Sequence, residues 1–259
     1  MGAPHDGDGG RTARGVVTAI AISAPGKLTL TLAITGIRGD GYHLIDAEMV
    51  SLELADTLWI DPEGDGLSAE GPYSAGVPLD SSNLVTKALR LANRTAGVRI
   101  DKQIPHGGGL GGGSADAAAV LRWAGHSDLA SAARLGADVP FCVVGGRARV
   151  TGIGEIVEAL DPQPSPYTLV IPPLSCSTPA VYRAWDALGG PTGDGPNDLL
   201  AAALVVEPRL NEWRSRIREA AGAEPVLAGS GATWFLPGHH PHLTTALTDA
   251  HVVITRSQP

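Results

Sequence analysis

The clearest chemical signal in the chain is the run Pro105-His106-Gly107-Gly108-Gly109-Leu110-Gly111-Gly112-Gly113-Ser114. Six of the seven positions from Gly107 to Gly113 are glycine. No side chain there keeps the backbone from approaching a ligand, and successive N–H groups are left to face it. The segment that follows, Ala115 to Trp123, is alanine-rich and therefore helix-favouring, because alanine loses no side-chain entropy in a helix. A glycine loop that opens a helix adds the positive end of the helix dipole, and the ligand that suits both is phosphate. A merely flexible turn has no need of so many residues that lose backbone entropy on folding.

Two familiar phosphate loops match poorly. Gly107, Gly109 and Gly112 satisfy G-x-G-x-x-G, but at this glycine density the match carries little weight. A Walker A loop needs a lysine just before its Ser or Thr, and no lysine follows Lys102. The neutralising cation must come from elsewhere. The lysines are only Lys27, Lys87 and Lys102, against 16 arginines, so a lysine kept in the Pro25-Gly26-Lys27 turn is a candidate, with a solvated surface lysine as the plain alternative. Asp138 stands in the otherwise apolar Leu135-Gly136-Ala137-Asp138-Val139-Pro140-Phe141. An unpartnered carboxylate is costly there, so it should pair with a cation or cap a helix. Tyr42 and His43, read on their own, suit a hairpin loop whose aromatic packs locally. In His239-His240-Pro241-His242 the proline interrupts the cluster and no Cys, Asp or Glu stands beside it, which reads as a solvated loop.

Several elements must position these groups. Residues 1–14 read as a flexible tail. A strand is expected over Val16 to Ile22, then a Pro25-Gly26 turn, then a half-buried strand in which Leu28, Leu30, Leu32 and Ile34 alternate with Thr29, Thr31 and Ala33. Glu48 to Leu54, Thr57 to Ile60 and Val98 to Lys102 read as further strands. Ser82-Asn83 is placed to cap a helix carrying Leu84, Ala88, Leu91 and Ala92. A short helix fits Ser127 to Leu135, with Ser127 as cap and Gly136 as stop. Pro162 to Pro166 reads as a connection between lobes, followed by a strand at Thr168 to Ile171 and helices at Thr178 to Leu188, Asn197 to Val206 and Arg209 to Ala221. Grouped strands and helices of this kind argue for an α+β protein in two lobes, 15–160 and 161–259.

Composition bounds the function. The 259 residues are 43% hydrophobic, enough for a sizeable core. The net charge of −8 and the 4% aromatic content argue against a nucleic-acid surface. No run approaches the ~18–20 apolar residues that span a bilayer, and the N-terminal residues are polar and glycine-rich, so no membrane partner is expected and the location is read as cytoplasmic. Cys142 and Cys176 are expected as buried thiols in a reducing compartment. A monomer or weak homodimer is expected.

Ala24-Pro25-Gly26-Lys27-Leu28, the Pro105 to Ser114 loop and Gly229-Ser230-Gly231-Ala232, in that order and spacing, resemble the GHMP kinase superfamily. More narrowly, Gly39-Asp40-Gly41-Tyr42-His43, Leu135 to Phe141 and Gly152-Ile153-Gly154-Glu155 resemble the 4-diphosphocytidyl-2-C-methyl-D-erythritol kinases of the non-mevalonate isoprenoid pathway, and the similarity runs from about Val16 to Phe235. The resemblance implies a two-lobed GHMP kinase fold, with a ribosomal protein S5 domain 2-like, ATP-binding N-terminal lobe and a ferredoxin-like C-terminal lobe. It also implies phosphoryl transfer from ATP, with Mg²⁺ carried by ATP near Ser114, to the 2-hydroxyl of a substrate bearing a cytidine diphosphate group. By the same resemblance Lys27 and Asp138 form the catalytic pair. The nucleotide is held by Asn83, Lys102, Pro105, His106, Gly107, Gly108, Gly109, Leu110, Gly111, Gly112, Gly113 and Ser114, and the acceptor by Thr29, Tyr42, His43, Thr178, Tyr182 and Gly231. A different small-molecule GHMP kinase, acting on homoserine, mevalonate or a sugar, or a catalytically weakened nucleotide-binding homologue, are the alternatives. The sequence departs from the family pattern in having Thr29 where Asn is usual, Gly26 where Ala is usual, and a shorter segment between the glycine loop and Leu135. Thr29 is expected near the catalytic pair, acting through a bridging water.

Overall fold

The computed structural model describes residues 19–259 except 106, 191, 192 and 194. The proposed tail at 1–14 and the start of the first expected strand lie outside the described residues. Six strands form the first sheet: β1 (Ile20–Ile37), β2 (His43–Asp61), β3 (Leu67–Glu70), β4 (Gly97–Asp101), β5 (Arg147–Gly152) and β6 (Ile156–Ala159). β1 runs antiparallel along one edge of β2, while β4 and β5 pair with opposite ends of its other edge. The chain then crosses to a four-stranded sheet ordered β10 (His251–Arg256), β7 (Pro166–Ile171), β9 (Trp234–Pro237) and β8 (Val226–Leu227).

Two expectations for this region are corrected. Pro25-Gly26 is no turn: β1 passes straight through it, and the register against β2 shifts between Pro25 and Lys27, a bulge that absorbs the proline inside one strand. Glu48 to Leu54 and Thr57 to Ile60 are likewise parts of one continuous strand, β2. The bulge frees the Lys27 N–H from the ladder, and it donates instead to the carbonyl of Leu110 in the glycine loop at 2.9 Å. Nor is β1 half-buried at this point: Lys27, Leu28 and Thr29 are all buried, because the glycine loop and the 229–231 segment cover the polar face. Farther along, the free edge of β1 is closed by residues 196–198, with Leu32 N–H donating to Pro196 O and Ile34 N–H to Asp198 Oδ2.

The helices are α1 (Leu84–Leu91), α2 (Gly112–Trp123), α3 (Leu129–Ala132), α4 (Val139–Val144), α5 (Thr178–Ala187), α6 (Leu200–Val206), α7 (Arg209–Ala221) and α8 (Leu243–Ala246). Ala115 to Leu121 of α2 are all buried, and the run of alanines lets the helix lie close on β1 and α1 within the main core. A second core of Leu28, Leu52, Leu169, Ile171 and Phe235 joins the two sheets. The cap of α3 is Asp128, not Ser127, and the helix is one turn long. Asn197 precedes α6 instead of starting it; its amide donates to Leu227 O and Gly229 O. Cys142 and Cys176 are free thiols, and Cys176 is only half-buried. Among the described residues no helix is long and apolar enough to cross a membrane.

Candidate active site

A cavity of about 450 Å³ opens where β1, the glycine loop, the start of α4 and the 229–230 segment meet, and its walls include Lys27, Thr29, Tyr42, His43, Asp138 and Tyr182. On its floor the Lys27 ammonium stands 3.4 Å from Asp138 Oδ2. It also donates directly to Thr29 Oγ1 at 3.0 Å, so the bridging water expected there is not needed. The Lys27 side chain is 6% exposed and that of Asp138 33%. Asp138 occupies the N-cap position of α4, yet its side chain makes no capping bond. That leaves the carboxylate free for the cavity.

The glycine loop lies beside this pair. Gly107, Gly109 and Gly111 have φ of +68°, +75° and +69°, a conformation that L side chains resist. The loop is also pressed against protein on both sides. A Cβ on Gly111 would sit 2.8 Å from Lys27 Cγ, one on Gly109 2.7 Å from Ala228 O, and one on Gly108 2.7 Å from Thr233 Oγ1. Part of the glycine density therefore serves close packing between the lysine strand and the 228–233 segment. Gly111 is the N-cap of α2 and offers no side-chain cap, so the first N–H groups of the helix remain available to a ligand. His106 lies outside the described residues.

Beneath the loop is an ion cluster that the sequence did not announce. Lys102, 2% exposed, donates to Asp116 Oδ2 at 2.6 Å and also pairs with Asp56. Asp56 in turn accepts from the Ile104 N–H at 2.8 Å, just before the loop, and Asp116 sits in the first half of α2, just after it. Burial pulls the Lys102 ammonium down, but Asp116 and Asp56 together outweigh it and hold it above its ordinary value. Burial pushes the Asp116 carboxyl up to about 7 against the pull of Lys102. Lys102, assigned to the nucleotide by resemblance, is thus committed to two carboxylates under the loop. Asn83 is similarly occupied: it caps α1 by accepting from Val85 N–H and donates to Pro78 O. The only signal for the cluster was one acid, Asp116, inside an alanine-rich helix.

The other end of the cavity is aromatic. His43 begins β2; its ring centroid lies 4.8 Å from that of Tyr182 on α5, and its Nε2 is 2.7 Å from Asp186 Oδ1. Burial, with Asp138 nearby, raises the Tyr182 phenol to about 12. Tyr42 is 59% exposed at the β1–β2 hairpin, under the Arg38 guanidinium. Thr178 reaches the wall through a 2.8 Å hydrogen bond with Ser230 Oγ. Gly229 and Ser230 line the cavity; Gly231, expected to do so, faces Leu227 and Cys176 instead. Asp186 had no signal in the sequence, because its partner lies 143 residues away.

Residues 83–146 match the family described as GHMP kinases N terminal domain. A 4-diphosphocytidyl-2-C-methyl-D-erythritol kinase of Paracoccus denitrificans is 39% identical over 232 residues, covering 82% of this chain and 85% of its own length. The chain belongs to the 4-diphosphocytidyl-2-C-methyl-D-erythritol kinase family. Another member, from Paramagnetospirillum magneticum, is 36% identical over 85% of this chain and 89% of its own. A solved 4-(cytidine 5'-diphospho)-2C-methyl-D-erythritol kinase superposes with a TM-score of 0.72 at 32% identity, over 93% of this chain and all of that one. An L. major mevalonate kinase, with a TM-score of 0.63 at 15% identity over 96% of this chain and 99% of its own, shares the fold. As a member of this family the chain is an ATP-dependent small-molecule kinase with the α+β GHMP kinase fold.

Proposed function

We propose that the chain transfers the γ-phosphate of ATP to the 2-hydroxyl of 4-(cytidine 5'-diphospho)-2-C-methyl-D-erythritol, a step of the non-mevalonate isoprenoid pathway, with Lys27 and Asp138 as the catalytic pair. The observation that carries this reading is the pair itself: a buried ammonium 3.4 Å from an uncapped, part-exposed carboxylate on the floor of a cavity with a glycine loop at one end and an aromatic pocket at the other. Phosphoryl transfer is mostly positioning and electrostatic stabilisation. The N–H groups of Gly107 to Ser114 and the start of α2 hold the triphosphate. Lys27, fixed by Thr29 and Asp138, offsets the charge that spreads over the equatorial oxygens of the transferring group. Asp138 accepts or orients the proton of the attacking hydroxyl, which leaves the oxygen as its bond to phosphorus forms and the bond to the leaving ADP breaks.

Tyr42, His43 and Tyr182 grip the cytosine, and Thr29, Thr178, Gly229 and Ser230 border the sugar-alcohol end. Magnesium comes with ATP and neutralises phosphate charge. Ser114, lining the cavity with no partner for its hydroxyl among the described residues, would be the side chain to hold the ion, and Asp138 lines the same cavity. The test is ATP consumption with the cytidylyl acceptor against homoserine and mevalonate. Turnover restricted to the first supports the reading, and turnover of either of the others in its place overturns it.

A further inference from the structure

One face of α5 encloses the His43 ring. Tyr182, Trp185 and Asp186 stand at i, i+3 and i+4 on that helix, so all three point the same way. Tyr182 meets the imidazole at 4.8 Å with the planes tilted by 37°, Trp185 meets it edge-on at 5.4 Å, and Asp186 Oδ1 lies 2.7 Å from Nε2. The His43 side chain is 12% exposed and that of Asp186 45%. The ring is therefore held from three directions while its carboxylate partner stays in water. His43 borders the cavity, and among the described residues its Nδ1 has no protein partner.

We infer that Asp186 is a positioning residue that fixes which ring nitrogen of His43 carries the proton, and thereby makes the site choose cytosine over uracil. The inference rests on the proposed cytidylyl acceptor. An ionised carboxylate only accepts, so it takes the Nε2–H, and in the neutral form of the ring this leaves Nδ1 as a lone-pair acceptor. At C4 cytosine carries an amine, a donor, where uracil carries a carbonyl, an acceptor. A Nδ1 lone pair attracts the first and repels the second. Stacking on Tyr42 and Tyr182 cannot make this distinction, since every base has a π-face. The aromatic rings supply affinity, and Asp186 supplies choice through His43.

The test uses the full-length protein and two probes that need no turnover, cytidine 5'-diphosphate and uridine 5'-diphosphate, titrated calorimetrically. Wild type is expected to prefer the cytidine compound by about tenfold or more, the scale of a lost polar contact at a built site. Asp186→Asn can donate as well as accept, which relaxes the lock. Its preference should fall to about threefold or less, Asp186→Glu should restore it, and affinity for a non-hydrolysable ATP analogue should be equal in all three. Nitrogen NMR of labelled histidine at about pH 8.5, well above the ordinary imidazole value, reads the ring directly. The proton should sit on Nε2 in wild type and be shared between the nitrogens in Asp186→Asn. An unchanged preference in Asp186→Asn, or a wild-type proton on Nδ1, overturns the role of Asp186 and leaves the acceptor assignment standing. Failure of wild type to bind either diphosphate overturns both.

Discussion

Lys27 Nζ donates to Thr29 Oγ1 at 3.0 Å while Asp138 Oδ2 stands 3.4 Å from the same nitrogen. Two residues apart on β1, Lys27 and Thr29 project to the same side of the strand. The short, stiff threonine therefore acts as a tether on the long lysine stem. Both are buried, so an ammonium without these partners would be a costly unpaired charge.

Thr29→Val keeps the shape and removes the acceptor. We expect kcat/KM to fall about tenfold, the equivalent of roughly 1.4 kcal/mol for one hydrogen bond to a charged group. Thr29→Asn restores an acceptor and should turn over as well as wild type or better. Steady-state kinetics of the three proteins decide this. A Val variant with unaltered kcat/KM would make Thr29 a packing residue only.

Lys27→Ala and Asp138→Asn should each lower kcat by about 10²–10⁴, the cost of losing one positioned electrostatic or acid–base group. Asp138→Asn loses no capping bond but removes the charge facing the buried Lys27, so its melting temperature should fall as well, and turnover is compared below that temperature. Near-wild-type turnover in either folded variant removes that residue from the mechanism.

Gly111→Val attacks two features together: a φ of +69° that a β-branched residue resists, and a Cβ position 2.8 Å from Lys27 Cγ. Affinity for a non-hydrolysable ATP analogue should drop more than affinity for cytidine 5'-diphosphate, and kcat should fall because Lys27 is displaced. Calorimetry with both ligands checks it, and an unchanged ATP-analogue affinity would mean that the loop is not the phosphate cradle.

The sequence made the glycine loop, α2, Lys27 and Asp138 legible because each stands out locally: a composition, a periodicity, a charge in an apolar run. It misplaced what depends on pairing partners. Pro25-Gly26 looked like a turn because those residues usually make one, but β2 is long enough to carry β1 through the proline as a bulge. The Lys102–Asp56–Asp116 cluster and the His43–Asp186 pair each bring together distant chain segments, and no local pattern marks such a meeting. Lys102 was read toward the nucleotide by resemblance, and nothing in the local sequence showed that it is buried.

Tyr182→Ala should raise KM for the cytidylyl acceptor about tenfold or more, since stacking a base on an aromatic ring is worth about 1–3 kcal/mol. The ring also packs 4.8 Å from His43, so the edge contact to the base loosens with it. KM for ATP should barely move, because the glycine loop lies at the other end of the cavity. Equal losses for both substrates would point to a general folding defect in place of a lost base contact.

Asp116 links the loop to the pH dependence of stability. Burial raises its carboxyl from an ordinary 3.8 to about 7 in the folded chain. Between those values the folded protein holds a proton that the unfolded chain has released, so stability falls as pH rises through this window and levels off above about 7. Asp116→Asn keeps the shape and removes the titration. Urea unfolding of both proteins across pH about 4 to 8 isolates the effect, because groups that titrate in both cancel in the difference. Wild-type stability minus variant stability should decrease with pH over that window and then stay constant. A flat difference would mean that Asp116 is ionised throughout, in a full ion pair with Lys102. In that case Lys102→Met, which leaves Asp56 and Asp116 facing each other without a cation, should be the severe change instead, on the order of 3–5 kcal/mol.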